Sequence, residues 1–88
     1  MVSKTVTVII EQGMHMRPAG VLAKAAGAHK DCNITLKAND KSISAKAVMQ
    51  IMSAGIKKGT AVEIICDGAD EQAVLEEIAG LFENGFGE

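Results

Sequence analysis

Eighty-eight residues allow one small domain, in which roughly 60–65% of the unfolded chain's surface can be buried. With 48% hydrophobic and 23% charged residues, the composition is that of a folded chain, and a net charge of −2 offers no general attraction to nucleic acid or anionic membrane. No apolar run approaches the ~20 residues that cross a bilayer and the N-terminus has no signal-peptide pattern, so a cytoplasmic chain without membrane insertion is expected. Cys32 and Cys66 are too few and too far apart for a disulfide scaffold, and His15 and His29 do not stand at metal-ligand spacing from them. Phe82 and Phe86 are the only aromatic residues, which removes stacking platforms for single-stranded nucleic acid. So short a chain has little interior to hollow into a pocket, and surface chemistry is the better expectation.

In chain order, Lys4 to Ile10 alternates, with Val6, Val8 and Ile10 on one side and Thr5 and Thr7 on the other, which predicts a half-wet strand. Glu11-Gln12-Gly13 ends it. Pro18, tolerated only in the first turn of a helix, predicts a helix from near Met16 to about Ala28, with Val21, Leu22, Ala25 and Ala26 inward. Cys32, Ile34 and Leu36 mark a second strand, Asn39-Asp40 a turn, and Ser42 to Ala45 a return strand. A second helix over Ala47 to Ala54, ended by Gly55, is apolar almost all round, so at least two of Val48, Met49, Ile51 and Met52 should face outward. Val62, Ile64 and Cys66 alternate again. A last helix opens at Asp70-Glu71, with Val74, Ile78, Leu81 and Phe82 at helical spacing. Alternation in every strand favours an antiparallel sheet covered on one side. The expected fold is α+β: a two-layer open-faced β-sandwich, a four-stranded antiparallel sheet with three helices on one face in the order β-α-β-β-α-β-α, as a single domain over 1–88.

The chemistry concentrates in Gly13-Met14-His15-Met16-Arg17-Pro18-Ala19. A helix N-terminus carries partial positive charge and disfavours cations, yet an imidazole and a guanidinium stand in or beside this first turn, and no acid does. The arrangement suits a visiting anion, met by backbone N–H groups, the helix dipole and Arg17. His15, beside that helix start, offers an imidazole nitrogen for nucleophilic attack. Cys32 and Cys66 fall on apolar strand faces as small hydrophobes, His29 suits a helix C-terminus, and Lys57-Lys58 reads as a solvated loop.

This segment resembles the active-site segment of HPr, the histidine-containing phosphocarrier family of the bacterial sugar phosphotransferase system. The resemblance continues through Lys41-Ser42-Ile43-Ser44-Ala45-Lys46, Met49, Met52, Gly55, Gly59-Thr60 and Gly68-Ala69-Asp70-Glu71. It implies that His15 accepts a phosphoryl group on Nδ1 from enzyme I, charged by phosphoenolpyruvate, and passes it to enzyme II A components, with no cofactor or metal. The backbone amides of Met16 and Arg17 and the Arg17 side chain would hold the phosphate. Met16, Gly20, Val48, Met49 and Met52, with Arg17 and Lys24 at the rim, would form the partner-docking surface of an expected monomer. Two departures stand out. Ala47 occupies the position of a regulatory serine found in many relatives, so that phosphorylation switch is expected to be absent; and Met16 replaces the smaller residue usual there. Two other readings are a regulatory adaptor binding a transcription factor or kinase, and a carrier in a nitrogen-related or dihydroxyacetone-linked branch.

Overall fold

The computed structural model describes residues 1–11 and 13–87; of the Glu11-Gln12-Gly13 break, Gln12 lies outside the described residues. Four strands, β1 (Val2–Thr7), β2 (Cys32–Ala38), β3 (Lys41–Ser44) and β4 (Ala61–Gly68), form one sheet in the order β1-β4-β2-β3. Every neighbouring pair is antiparallel. Helices α1 (Met16–Gly27), α2 (Val48–Ser53) and α3 (Glu71–Glu83) cover one face, and a 3-10 turn, Gly85–Gly87, follows α3. The expected layers and element order are the observed ones.

Period-two alternation explains the layering. Across the sheet Val6 stands opposite Val62, and Leu36 opposite Ile64, all with side chains in the core beneath the helices. The intervening residues Thr5, Lys37 and Ser42 look to solvent, beside half-buried Glu63 in the same cross-strand row. Leu22, Ile51, Ile78 and Phe82 close the core from the helical side, and Phe86 folds back to set its ring edge-on to Phe82 at 4.8 Å. Among the described residues no polar or charged side chain is buried.

The differences from expectation lie at helix faces and element ends. β1 stops at Thr7, although Val8 and Ile10 keep the alternation and remain buried beyond it. Val8 instead bonds the loop before β4: its N–H donates to the Thr60 carbonyl and its carbonyl accepts from Gly59 N–H. Val21 is 38% exposed, not inward, and Ala25 is half-buried, because the buried stripe of α1 runs Pro18, Ala19, Leu22, Ala26. That stripe is displaced by one residue, as an apolar side chain at 21 is outvoted by the 3.6-residue repeat through 19, 22 and 26. In α3, Leu75 and Ala79 are buried while Leu81 is only half-buried.

Helix α2 has six residues, too few to be stable alone, and the β2–β3 hairpin holds it. Asn39 (φ 52°) and Asp40 (φ 64°) both take the left-handed conformation that a two-residue hairpin turn of this twist requires. This turn aims the Asn39 amide at the helix end, where Nδ2 donates to the carbonyls of Ala54 and Gly55, each at 3.0 Å. Lys41 Nζ donates to the Ser53 carbonyl at 3.0 Å, and the Ser44 N–H donates to Gln50 Oε1 at 3.0 Å. The orphan carbonyls of the last turn are thus met by a neighbouring hairpin. His29 Nε2 lies 2.9 Å from Glu77 Oε1, tying the residues after α1 to α3.

Cys32 and Cys66 are both buried, unlinked, and on the core side of adjacent strands. Burial, reinforced by the neighbouring Cys32, pushes the Cys66 thiol from 9.0 up to about 11. The unfolded chain therefore loses this proton first as pH rises, so the associated stability is complete below about pH 9 and is lost towards pH 11. Urea titrations should show the stability difference between the protein and Cys66→Ala narrowing across that window. A second expectation concerns α2. Asn39→Asp preserves shape and turn preference but turns a carboxylate on two carbonyls; urea denaturation should show a loss of about 1–3 kcal/mol.

Candidate functional site

The residues before α1 are positioned by a backbone dock onto the loop after α2. Met14 N–H donates to the Ile56 carbonyl at 3.0 Å, and the Gly13 N–H donates to the Ile10 carbonyl at 3.0 Å. Gly13 has φ 74°, and a Cβ there would stand 2.8 Å from the Ile56 oxygen and 3.0 Å from Lys57 Cα. Only glycine allows the two loops to approach this closely. Met14 buries its side chain beneath them, so His15 emerges at the surface from an anchored backbone.

His15 is the N-cap of α1, extended at φ −89° and ψ −171°, and its carbonyl accepts the Ala19 N–H at 3.0 Å. Its imidazole makes no capping hydrogen bond to the helix, and the first turn contains no acid. Ser, Thr, Asp or Asn at this place would satisfy first-turn amides internally; histidine leaves the cap to other acceptors. Helix geometry gives the amides of Met16 and Arg17 no intrahelical acceptor, and Pro18 contributes no N–H. The start of a twelve-residue helix with no acid in its first turn is a place where an anion would be favoured.

The expected site residues fall into two groups. His15 is half-buried, whereas Met16 is 68% exposed and Arg17 is exposed beside it. Gly20 follows one turn later with open space where a Cβ would stand, and exposed Lys24 lies a further turn along. From α2, which packs beside α1, Met49 is 77% exposed. Val48 and Met52 are half-buried against the core and Ile51 is buried, so of the at least two outward apolar residues expected on this helix only Met49 is exposed. Ala47 is the N-cap of α2, with no side-chain hydroxyl and no acid in the first turn.

Asn39, Lys41 and Ile56 support this surface, although nothing in their sequence context marks them as site residues. Asn39 reads from sequence as a turn former, and its side-chain role depends on a partner 15 residues away. Ile56 acts through its carbonyl, which no side-chain pattern reports. Among the described residues, no group of three His, Cys, Asp or Glu could hold a metal ion, and no helix is long and apolar enough to cross a membrane. A concavity of about 500 Å³ lies on the open side of the sheet, lined by residues including Asn33, Thr35, Ser42 and Ser44, and does not include His15.

A family model described as the PTS HPr component phosphorylation site matches residues 2–84. Phosphocarrier protein HPr of Treponema pallidum (strain Nichols) is 38% identical over 88 residues, covering 100% of this chain and 99% of that protein. The HPr of Vibrio cholerae serotype O1 is 36% identical over 83 residues, covering 94% and 96%. Among solved structures, HPr-C-His from Thermoanaerobacter tengcongensis superposes with a TM-score of 0.93 at 31% identity, over 100% of this chain and 98% of that one. An HPr dimer from the same organism gives 0.77 at 33% identity, over 97% and 99%. A match of this length, on a chain whose histidine stands at a helix start, has one reading: the chain belongs to the HPr family, the phosphocarriers of the phosphotransferase system.

Proposed function

We propose that His15 accepts a phosphoryl group from phosphoenolpyruvate-charged enzyme I and passes it to enzyme II A components for sugar uptake, in the cytoplasm and as a monomer. The observation that carries this reading is His15 as the N-cap of α1 with no side-chain capping bond and no acid in the first turn. A stability role would favour a capping residue there; an anion-accepting role favours what is present.

In the transfer, the Nδ1 lone pair of His15 attacks phosphorus while the bond to the donor atom of enzyme I breaks on the opposite side. The three equatorial oxygens carry the charge, and the amides of Met16 and Arg17 with the Arg17 guanidinium stabilise it. The onward step reverses the geometry, with His15 as leaving group. Stabilisation must be moderate, because a phosphate held too tightly would not be released. Met16, Gly20, Met49 and the half-buried Val48 and Met52 supply the apolar docking surface, and Arg17 and Lys24 supply charge at its edge. Methionine suits partners of different shape because its side chain is flexible and polarizable.

The test is intact mass after incubation with enzyme I and phosphoenolpyruvate. One phosphate should be gained, stable in base, lost in acid and absent from His15→Ala. No gain, with the same enzyme I active on another carrier, would overturn the reading. Arg17→Glu sets a carboxylate beside the transferring group and should slow acceptance by roughly 10–100-fold in rapid-quench kinetics.

A further inference from the structure

The sulfur atoms of this chain are unevenly placed. It has five methionines and two cysteines. Both cysteines are buried, as is Met14, and Met52 is half-buried. The most exposed sulfur-bearing residues are Met1 at 78%, Met16 at 68% and Met49 at 77%. Met1 precedes Val2, whose partner is Cys66, whereas the chain leaves the other end of β1, where Thr7 faces Ala61, to reach His15. Met16 directly follows His15, and Met49 projects from the neighbouring helix. The two most exposed apolar side chains of the docking surface proposed above are therefore methionines, the one aliphatic residue that mild oxidants modify.

We infer that Met16 and Met49 are an oxidation site through which hydroperoxides reversibly weaken partner docking at His15. The inference rests on the carrier reading above. A hydroperoxide transfers one oxygen to the thioether: an S–O bond forms, the O–O bond breaks, and water or an alcohol leaves with the proton. Sulfur loses two electrons and the peroxide gains them. The product is a polar, chiral sulfoxide where an apolar, flexible side chain stood, and a partner must desolvate it in order to dock. The thiols do not intercept the oxidant: they are buried, and Cys66 stays protonated at neutral pH because burial pushes it up to about 11. Neither modified side chain is part of the core, so the fold persists while the surface changes.

The experiment treats the whole protein with hydrogen peroxide, maps oxidation by peptide mass, and measures phosphate acceptance against enzyme I concentration. Met16 and Met49 should oxidise ahead of Met14 and Met52. The KM for the carrier should rise by roughly tenfold, the effect of desolvating one or two polar groups at a contact, and methionine sulfoxide reductases A and B, supplied with a dithiol that is oxidised to its disulfide as the sulfoxide oxygen leaves in water, should restore it. In Met16→Leu/Met49→Leu, peroxide should still oxidise Met1, yet the KM of the treated and untreated variant should agree. Oxidation of Met16 and Met49 no faster than Met14, or an unchanged KM in fully oxidised protein, would overturn the inference. Failure of the untreated protein to take phosphate would overturn the carrier reading and this inference with it, whatever the oxidation map shows.

Discussion

Everything at the histidine depends on the close approach of two loops, made possible because position 13 has no side chain. The Met14 amide meets the Ile56 carbonyl at 3.0 Å, and a Cβ on Gly13 would press to 2.8 Å from that oxygen. This contact joins the chain just before α1 to the chain just after α2. It sets where α1 begins, which side of His15 faces outward, and how near α2 lies to it. Substitution there would strain a positive φ and push both loops away from each other, so its effect would spread from one residue to both helices.

The rest of the framework divides labour between strength and placement. The sheet and the long helices α1 and α3 carry the apolar burial, through Leu36, Ile64, Leu22, Ile78 and Phe82. The short helix α2 contributes one fully buried large side chain, Ile51, and draws its position from polar contacts to the β2–β3 hairpin. A small helix held by its ends presents side chains accurately without needing much core of its own. That is how a chain of 88 residues exposes large apolar groups and still folds.

The sheet was legible in the sequence because one covered face imposes a period of two, which the central strands β2 and β4 follow, whereas Lys4 interrupts it in β1 and short β3 does not show it. The histidine was legible because proline locates a helix start and a basic pair contradicts what a helix start ordinarily prefers. The inward face of α1 was harder. Val21 is as apolar as Leu22, and only the packing shows that the stripe passes through Ala19 and Ala26 instead. The outward share of α2 was legible as a surplus of apolar residues, but which of them lean on the core depends on Ile51 taking the one inward position. Asn39 and the Ile56 carbonyl were hidden for a different reason: their partners are distant along the chain, and a backbone oxygen has no letter in the sequence.

A half-buried histidine beside exposed Met16 has a consequence for traffic. Two proteins that both need the same imidazole cannot sit on it together, so each must leave before the next arrives. On the carrier function proposed above, the time a partner lingers limits throughput, and gains in affinity beyond a certain point slow the relay because they chiefly lengthen residence. Such a surface is best when its complexes are brief.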